Sequence, residues 1–95
     1  MKVHWTDNAI RHLANIYEYI ALNSSTYARR MVDKTTCRSI QISDHPWSGR
    51  IVPEYEADDI RELIENPYRI IYRIKPDQVD VLAVIHGAQL LPEEI

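Results

Sequence analysis

Cysteine, glycine and long apolar runs are all scarce in this chain, and each scarcity removes a class of protein. Among 95 residues there is one cysteine, Cys37, which cannot close an internal disulfide and has no second thiol with which to share a zinc ion. That suits a reducing compartment and predicts a cytoplasmic protein, with Cys37 itself reading as a small residue packed on a helix. No apolar stretch approaches the roughly 20 residues of a spanning helix, so no membrane contact is expected. Met1 opens an alternating segment that soon reaches polar Thr6 and Asp7, which predicts no secretory signal. Two glycines and five prolines form no linker-like run, and repeats and low-complexity tracts are absent. Residues 1–95 therefore read as a single domain, one small enough that a partner's cover would help it.

Positive charge is also short: 11 Lys and Arg stand against 14 Asp and Glu, a formal net charge of −3. Proteins that grip nucleic acid electrostatically are usually positive, so this balance counts against RNA binding, although a local arginine cluster can still make a basic patch. His4, His12 and His45 have no ligand spacing with any cysteine or carboxylate, and neither a metal nor a cofactor is expected.

What the chain does contain is a change of period. Lys2–Trp5 alternates, as a short strand does, and Thr6 and Asp7 can cap the helix that follows. From Asn8 to about Leu22, Ile10, Leu13, Ala14, Tyr17, Ile20 and Ala21 recur at three and four, the spacing of one helical face, with Arg11 and Glu18 on the solvated side. Tyr17 and Tyr19 read as core and rim aromatics. Asn23-Ser24-Ser25 breaks the pattern, after which Ala28, Met31, Val32, Thr35, Ser39 and Ile42 continue a weaker stripe. The two helices form a hairpin. A loop follows at Asp44–Gly49, where His45-Pro46-Trp47 is expected to plug the corner between helix and sheet. Beyond it the period becomes two: Arg50–Val52 as an edge strand, an acidic loop from Glu54 to Asp58, then strands at Ile60–Ile64, Tyr68–Ile74 and Val79–Ile85.

Pairing the last two strands about Lys75–Gln78 sets Ile74 against Val79, Tyr72 against Val81, Ile70 against Ala83 and Tyr68 against Ile85 on one apolar face. The other face then pairs Arg73 with Asp80, Ile71 with Leu82 and Arg69 with Val84. Centring the preceding hairpin on Asn66 adds Leu63 and Arg61 to that second face and leaves Glu62 as a misfit. Two helices shelter one face, so Leu63, Ile71, Leu82 and Val84, rimmed by Arg61, Arg69, Arg73 and His86, would lie open to water. Exposed aliphatics forgo about 1.5–3 kcal/mol each, which predicts a partner on this surface, or a second copy of the chain in the partner's absence. The alternative cover is the C-terminal segment Leu90-Leu91-Pro92, folding back over part of it.

Trp5-Thr6, Ile16-Tyr17-Glu18-Tyr19-Ile20, His45-Pro46, Gly49-Arg50-Ile51-Val52-Pro53-Glu54, Ile60-Arg61-Glu62-Leu63, Tyr68-Arg69-Ile70-Ile71-Tyr72-Arg73 and Val84-Ile85-His86-Gly87 occur in an order that resembles the ParE/RelE toxin superfamily over nearly the whole chain. The resemblance implies an α+β fold, with an N-terminal helical hairpin packed on one face of a small twisted antiparallel sheet. It implies a cognate antitoxin whose C-terminal segment wraps the toxin and which represses their shared operon. It also implies one of two targets: DNA gyrase, poisoned without catalysis by ParE-like members, or ribosome-bound messenger RNA, cut by RelE-like members. Arg61 and Arg69 match family arginines that can hold a phosphate, and His86 can serve as an acid or base, so these three are the candidates if the chain is a nuclease. Three departures favour the ParE-like reading, or a toxin with weakened activity, over the nuclease. Gln89 stands where a family arginine is expected, no tyrosine follows Tyr72, and Glu54, Glu56, Asp58 and Asp59 occupy a loop that tends to be lysine-rich in the nucleases. Otherwise Arg61 and Arg69 are sheet-face arginines paired with Glu65 or with antitoxin carboxylates.

Overall fold

Both helices begin on the side-chain caps that the sequence offers. In the computed structural model, which describes residues 1–93, the Thr6 hydroxyl accepts from the Ala9 amide at 3.2 Å and starts α1 (Asp7–Ala21). The Ser24 hydroxyl accepts from Tyr27 at 3.1 Å and starts α2 (Ser25–Asp44). Weak helix formers at the centre of α2 are accommodated by bonding back to the preceding turn: Thr35 donates to Met31 O at 2.8 Å and Thr36 to Val32 O at 3.0 Å. Ala28, Met31, Thr35 and Ile42 turn inward, and small residues let the two helices lie close as a hairpin.

The strands are β1 (Lys2–Trp5), β2 (Arg50–Ile51), β3 (Ile60–Glu65), β4 (Tyr68–Ile74) and β5 (Gln78–His86), in the spatial order β1-β5-β4-β3-β2. The sheet is mixed, not wholly antiparallel as expected: β1 runs parallel to β5, with Val3 beside Val79 and Trp5 beside Val81. The hairpin and the 3-10 turn at Pro46–Ser48 carry the chain from one edge of the sheet to the other. That turn is pinned by Tyr72, whose hydroxyl donates to Pro46 O at 2.6 Å and accepts from Gly49 N at 3.1 Å. A Cβ at Gly49 would lie 2.3 Å from that hydroxyl, so only glycine fits the corner.

Both hairpins depart from the expected register by one residue, for different reasons. The turn between β3 and β4 contains just Asn66 and Pro67, joined by a cis peptide, so Glu65 meets Tyr68, Leu63 meets Ile70 and Glu62 meets Ile71. Between β4 and β5 the expected pairing holds for Ile74 with Val79, Arg73 with Asp80 and Tyr72 with Val81. Leu82 is then an extra, unpaired residue, a β-bulge, and beyond it Ile71 meets Ala83, Ile70 meets Val84 and Tyr68 meets His86. A slip of one residue exchanges the faces of everything that follows. Leu63 and Val84 consequently pack under the helices, with Ile70, Tyr72, Val79 and Val81 in one cluster and Leu13, Met31 and Tyr68 in the next. Glu62, Arg69, Ile71, Ala83 and Ile85 occupy the opposite side.

That opposite side is not the open aliphatic surface predicted above. Ile71 and Ala83 are buried with Val52 and Ile60 beneath Tyr55, Ala57, Ile85 and Leu91, so the loop after β2 and the C-terminal segment cover the face from within the chain. Tyr55 donates to Pro92 O at 2.6 Å and Leu91 N donates to Glu54 at 3.4 Å. The need for a partner inferred from four exposed aliphatics therefore falls: Leu63, Ile71 and Val84 are buried, and Leu82 is half-buried at the bulge. Among the described residues no helix is long and apolar enough to cross a membrane.

Candidate functional site

Arg69 is the centre of the charged face. Its side chain is 7% exposed and is gripped on three sides: Nε donates to Glu62 Oε1 at 2.7 Å, and the two terminal nitrogens donate to the two oxygens of Glu54 at 2.8 Å each. Glu62 is fully buried and its second oxygen takes Arg50. Planar guanidinium and planar carboxylate meet as a fork on a fork, the strongest geometry for such a pair. The hydrogen bonds from Arg69 hold the Glu54 carboxyl at about 2, well below its usual value. The same contacts, Glu54 first and then Glu62, push the Arg69 guanidinium further up. Gln89 O lies 3.4 Å from Arg69, which ties the C-terminal segment to the same cluster. The expected partner, Glu65, is instead bonded to Arg38 on α2 at 3.1 Å.

The three residues proposed for nuclease chemistry do not share a site. Arg69 points into the loop-covered face, where two carboxylates already neutralise it. His86, moved across by the bulge, stands on the helix side with its ring edge-on to Tyr68 at 6.0 Å, and its Nδ1 accepts from Ala88 N at 3.1 Å. Arg61 lies at the other end of β3, donating to Asp58 O at 2.8 Å and Gly49 O at 3.1 Å while its guanidinium rests 5.1 Å above the ring of Trp47. Trp47 is more than half exposed, so it caps the corner from outside and does not plug it. Arg73 reaches Asp59 at 3.9 Å, and its register partner Asp80 is taken by Lys75 at 2.6 Å and approached by His4 at 3.5 Å.

Two contributors escaped the sequence reading. Glu62 looked misplaced because the register was one residue out; set beside Ile71 it faces Arg69 and Arg50, and the misfit itself was the available signal. His12 carried no signal at all. Its Nδ1 accepts from Val84 N at 3.1 Å, closing the edge of β5 that β1 is too short to cover, together with Thr6 on Val81 O and Asn8 on Leu82 O. Burial, and then the neighbouring Arg11, push the His12 pKa down, so the ring is neutral and suited to accept. A groove of about 520 Å³ runs between α1 and the end of β5, lined by His12, Asn15, Tyr19, Tyr68, His86 and Gln89. No group of three or more His, Cys, Asp or Glu residues that could hold a metal occurs among the described residues.

Residues 3–91 match the family described as "ParE toxin of type II toxin-antitoxin system, parDE". The chain belongs to this toxin family. A candidate toxin of Sinorhizobium fredii, Y4kP, is 33% identical over 94 residues, covering 97% of this chain and 94% of its own. In fold it is similar to a chain from the chromosomal ParDE system of P. aeruginosa, with a TM-score of 0.75 at 24% identity. It is also similar to a chain of the RelBE2 toxin-antitoxin complex from Mycobacterium tuberculosis, with a TM-score of 0.67 at 21% identity. Each superposition covers 90% of this chain and 95% of the other. The hairpin-on-sheet architecture is thus that of ParE/RelE toxins, and this ParE-family chain is a toxin-antitoxin toxin.

Proposed function

We propose that this toxin acts as ParE does in the implied mechanism, by inhibiting DNA gyrase without a catalytic group of its own, and that a cognate antitoxin neutralises it in the cytoplasm. The observation that carries the reading is the dispersal of Arg61, Arg69 and His86. Cleaving RNA at a ribose 2′-hydroxyl needs a base near the nucleophile and positive charge on the phosphate within one site. Here the histidine and the buried arginine lie on opposite faces of the sheet, and a phosphate could reach Arg69 only by displacing Glu54. The carboxylates at Glu54, Glu56, Asp58 and Asp59 add repulsion where RNA would approach.

Induced expression of the isolated toxin, read for plasmid supercoiling and message integrity in the same culture, tests this. The expected result is a block of replication with altered supercoiling while translated message stays intact. New cuts in translated message, mapped by primer extension and lost in His86→Ala, would replace the gyrase reading with a RelE-like endoribonuclease.

A further inference from the structure

Of the 11 Lys and Arg side chains five are satisfied by carboxylates within the chain, and three of the others cluster on one helix. Arg38, Arg50, Arg69, Arg73 and Lys75 each lie within ion-pair distance of a carboxylate. Arg29, Arg30 and Lys34, exposed on the outer side of α2, have no such partner among the described residues, although the chain carries 14 acidic groups. Four basic residues against Asp33 and Asp44 give α2 a charge of +2, and with a chain total of −3 everything else carries −5. These three cations, with Asp33 and the Arg38–Glu65 pair, border a groove of about 920 Å³ that also contains Cys37 and Ile40, and Ile40 is 67% exposed. This helix stripe thus sets unpaired positive charge and a bare aliphatic side chain side by side in one concavity.

We propose that the outer groove of α2 docks an acidic, amphipathic helical segment of the antitoxin, with its carboxylates on Arg29, Arg30 and Lys34 and an apolar side chain on Ile40. This rests on the reading that an antitoxin neutralises the chain, and it specifies where and by what chemistry. Charge complementarity selects the occupant. A nucleic acid duplex would also meet the cations, but it offers no aliphatic group for Ile40, and its length would run against the −5 of the remaining body. A second copy of the chain would bring the same positive groove or carboxylates scattered over several elements, of which Glu54, Glu62 and Asp80 are already engaged, in place of one continuous acidic helix face. The 20 residues of α2 span about 30 Å, so a partner helix of about five turns can lie along it.

The test uses the full-length toxin purified with the polypeptide encoded beside it, then separated and titrated. Cys37, the chain's single thiol, is exposed in this groove and not packed as the sequence suggested, so an environment-sensitive fluorophore on it reports occupation of the groove. Wild-type toxin is expected to bind with a change in the Cys37 signal and with affinity that falls as salt is raised. The triple variant Arg29→Glu, Arg30→Glu, Lys34→Glu should bind about a hundredfold more weakly, and the milder Arg29→Gln, Arg30→Gln, Lys34→Gln about tenfold, both with wild-type melting temperatures. Binding that leaves the Cys37 signal and the variants' affinities unchanged overturns the groove assignment while leaving the antitoxin reading intact. No binding by wild-type toxin overturns both. A 20-base-pair duplex that binds wild-type toxin and loses affinity in the triple variant, or a self-association that responds in its place, assigns the groove to that ligand and overturns the proposal.

Discussion

The two faces of the sheet are sealed in opposite ways. Under the helices, Ile70, Tyr72, Val79, Val81 and Val84 make an apolar contact whose strength scales with area and tolerates small shifts. On the other side the cover is a loop and a C-terminal segment, held over Ile71 and Ala83 by a buried arginine between two carboxylates. Ion pairs of this kind demand exact placement, because each buried charge is costly once its partner is lost. The helix face should therefore degrade gradually under mutation, and the charged face abruptly.

Removing the arginine is the severest way to break that contrast. Arg69→Met should cost about 3–5 kcal/mol in urea unfolding, since it leaves the buried Glu62 carboxylate with only the exposed Arg50 and takes both bonds from Glu54. Adding Glu62→Leu should recover most of the loss, because replacing a buried pair wholesale with apolar groups is often neutral. A double variant no more stable than the single one would mean that the charges contribute more than mutual satisfaction. By comparison Ile70→Val, under the helices, should cost about 0.5–1.5 kcal/mol.

The corner that joins the faces comes next. Gly49→Ala forces a Cβ against the Tyr72 hydroxyl and the Glu62 carbonyl and should cost about 1–3 kcal/mol by thermal melting. An unchanged melting temperature would show that the 3-10 turn can move aside. Acid should then discriminate between the faces. The folded carboxyl of Glu54 sits at about 2, below its ordinary 4.5, so its stabilising contribution is complete above the ordinary value and is lost as pH falls from there toward about 2. Asp80, depressed chiefly by its hydrogen bond from Lys75, acts in the same direction. Glu54→Gln should flatten the acid limb of the urea midpoint against pH; an identical limb would assign the acid sensitivity elsewhere. The smallest effect belongs to the half-exposed pair of Arg38 and Glu65, where Arg38→Ala should change stability by no more than about 1 kcal/mol.

Element type and order were legible in the sequence because each rests on local signals: the three-and-four spacing of α1, the hydroxyl caps, and the β-branched runs of β4 and β5. What was not legible depended on single residues. Nothing in Lys2–Trp5 says which strand it will join, so its parallel pairing with β5 could not be read. Counting along a hairpin assumes regular pairing, and the two-residue turn at Asn66-Pro67 and the extra Leu82 each break that assumption. Those two slips account for the misplacement of Leu63, Val84, Glu62 and His86 together. The cover over Ile71 was half visible, in that Leu90-Leu91-Pro92 was a candidate, but the part played by Val52, Tyr55 and Ala57 was hidden because the acidic residues around them read as solvated loop.

Leu82 bears on how relatives should be compared. Adding one residue there, with the bulge kept, would turn everything downstream in β5 to the opposite face and carry a terminal histidine to the side of Arg69, whereas deleting Leu82 would only remove the bulge and leave that histidine opposite Tyr68. Within such a fold an insertion alone can move a histidine from one face of the sheet to the other, so spacing before the histidine is as informative as its presence.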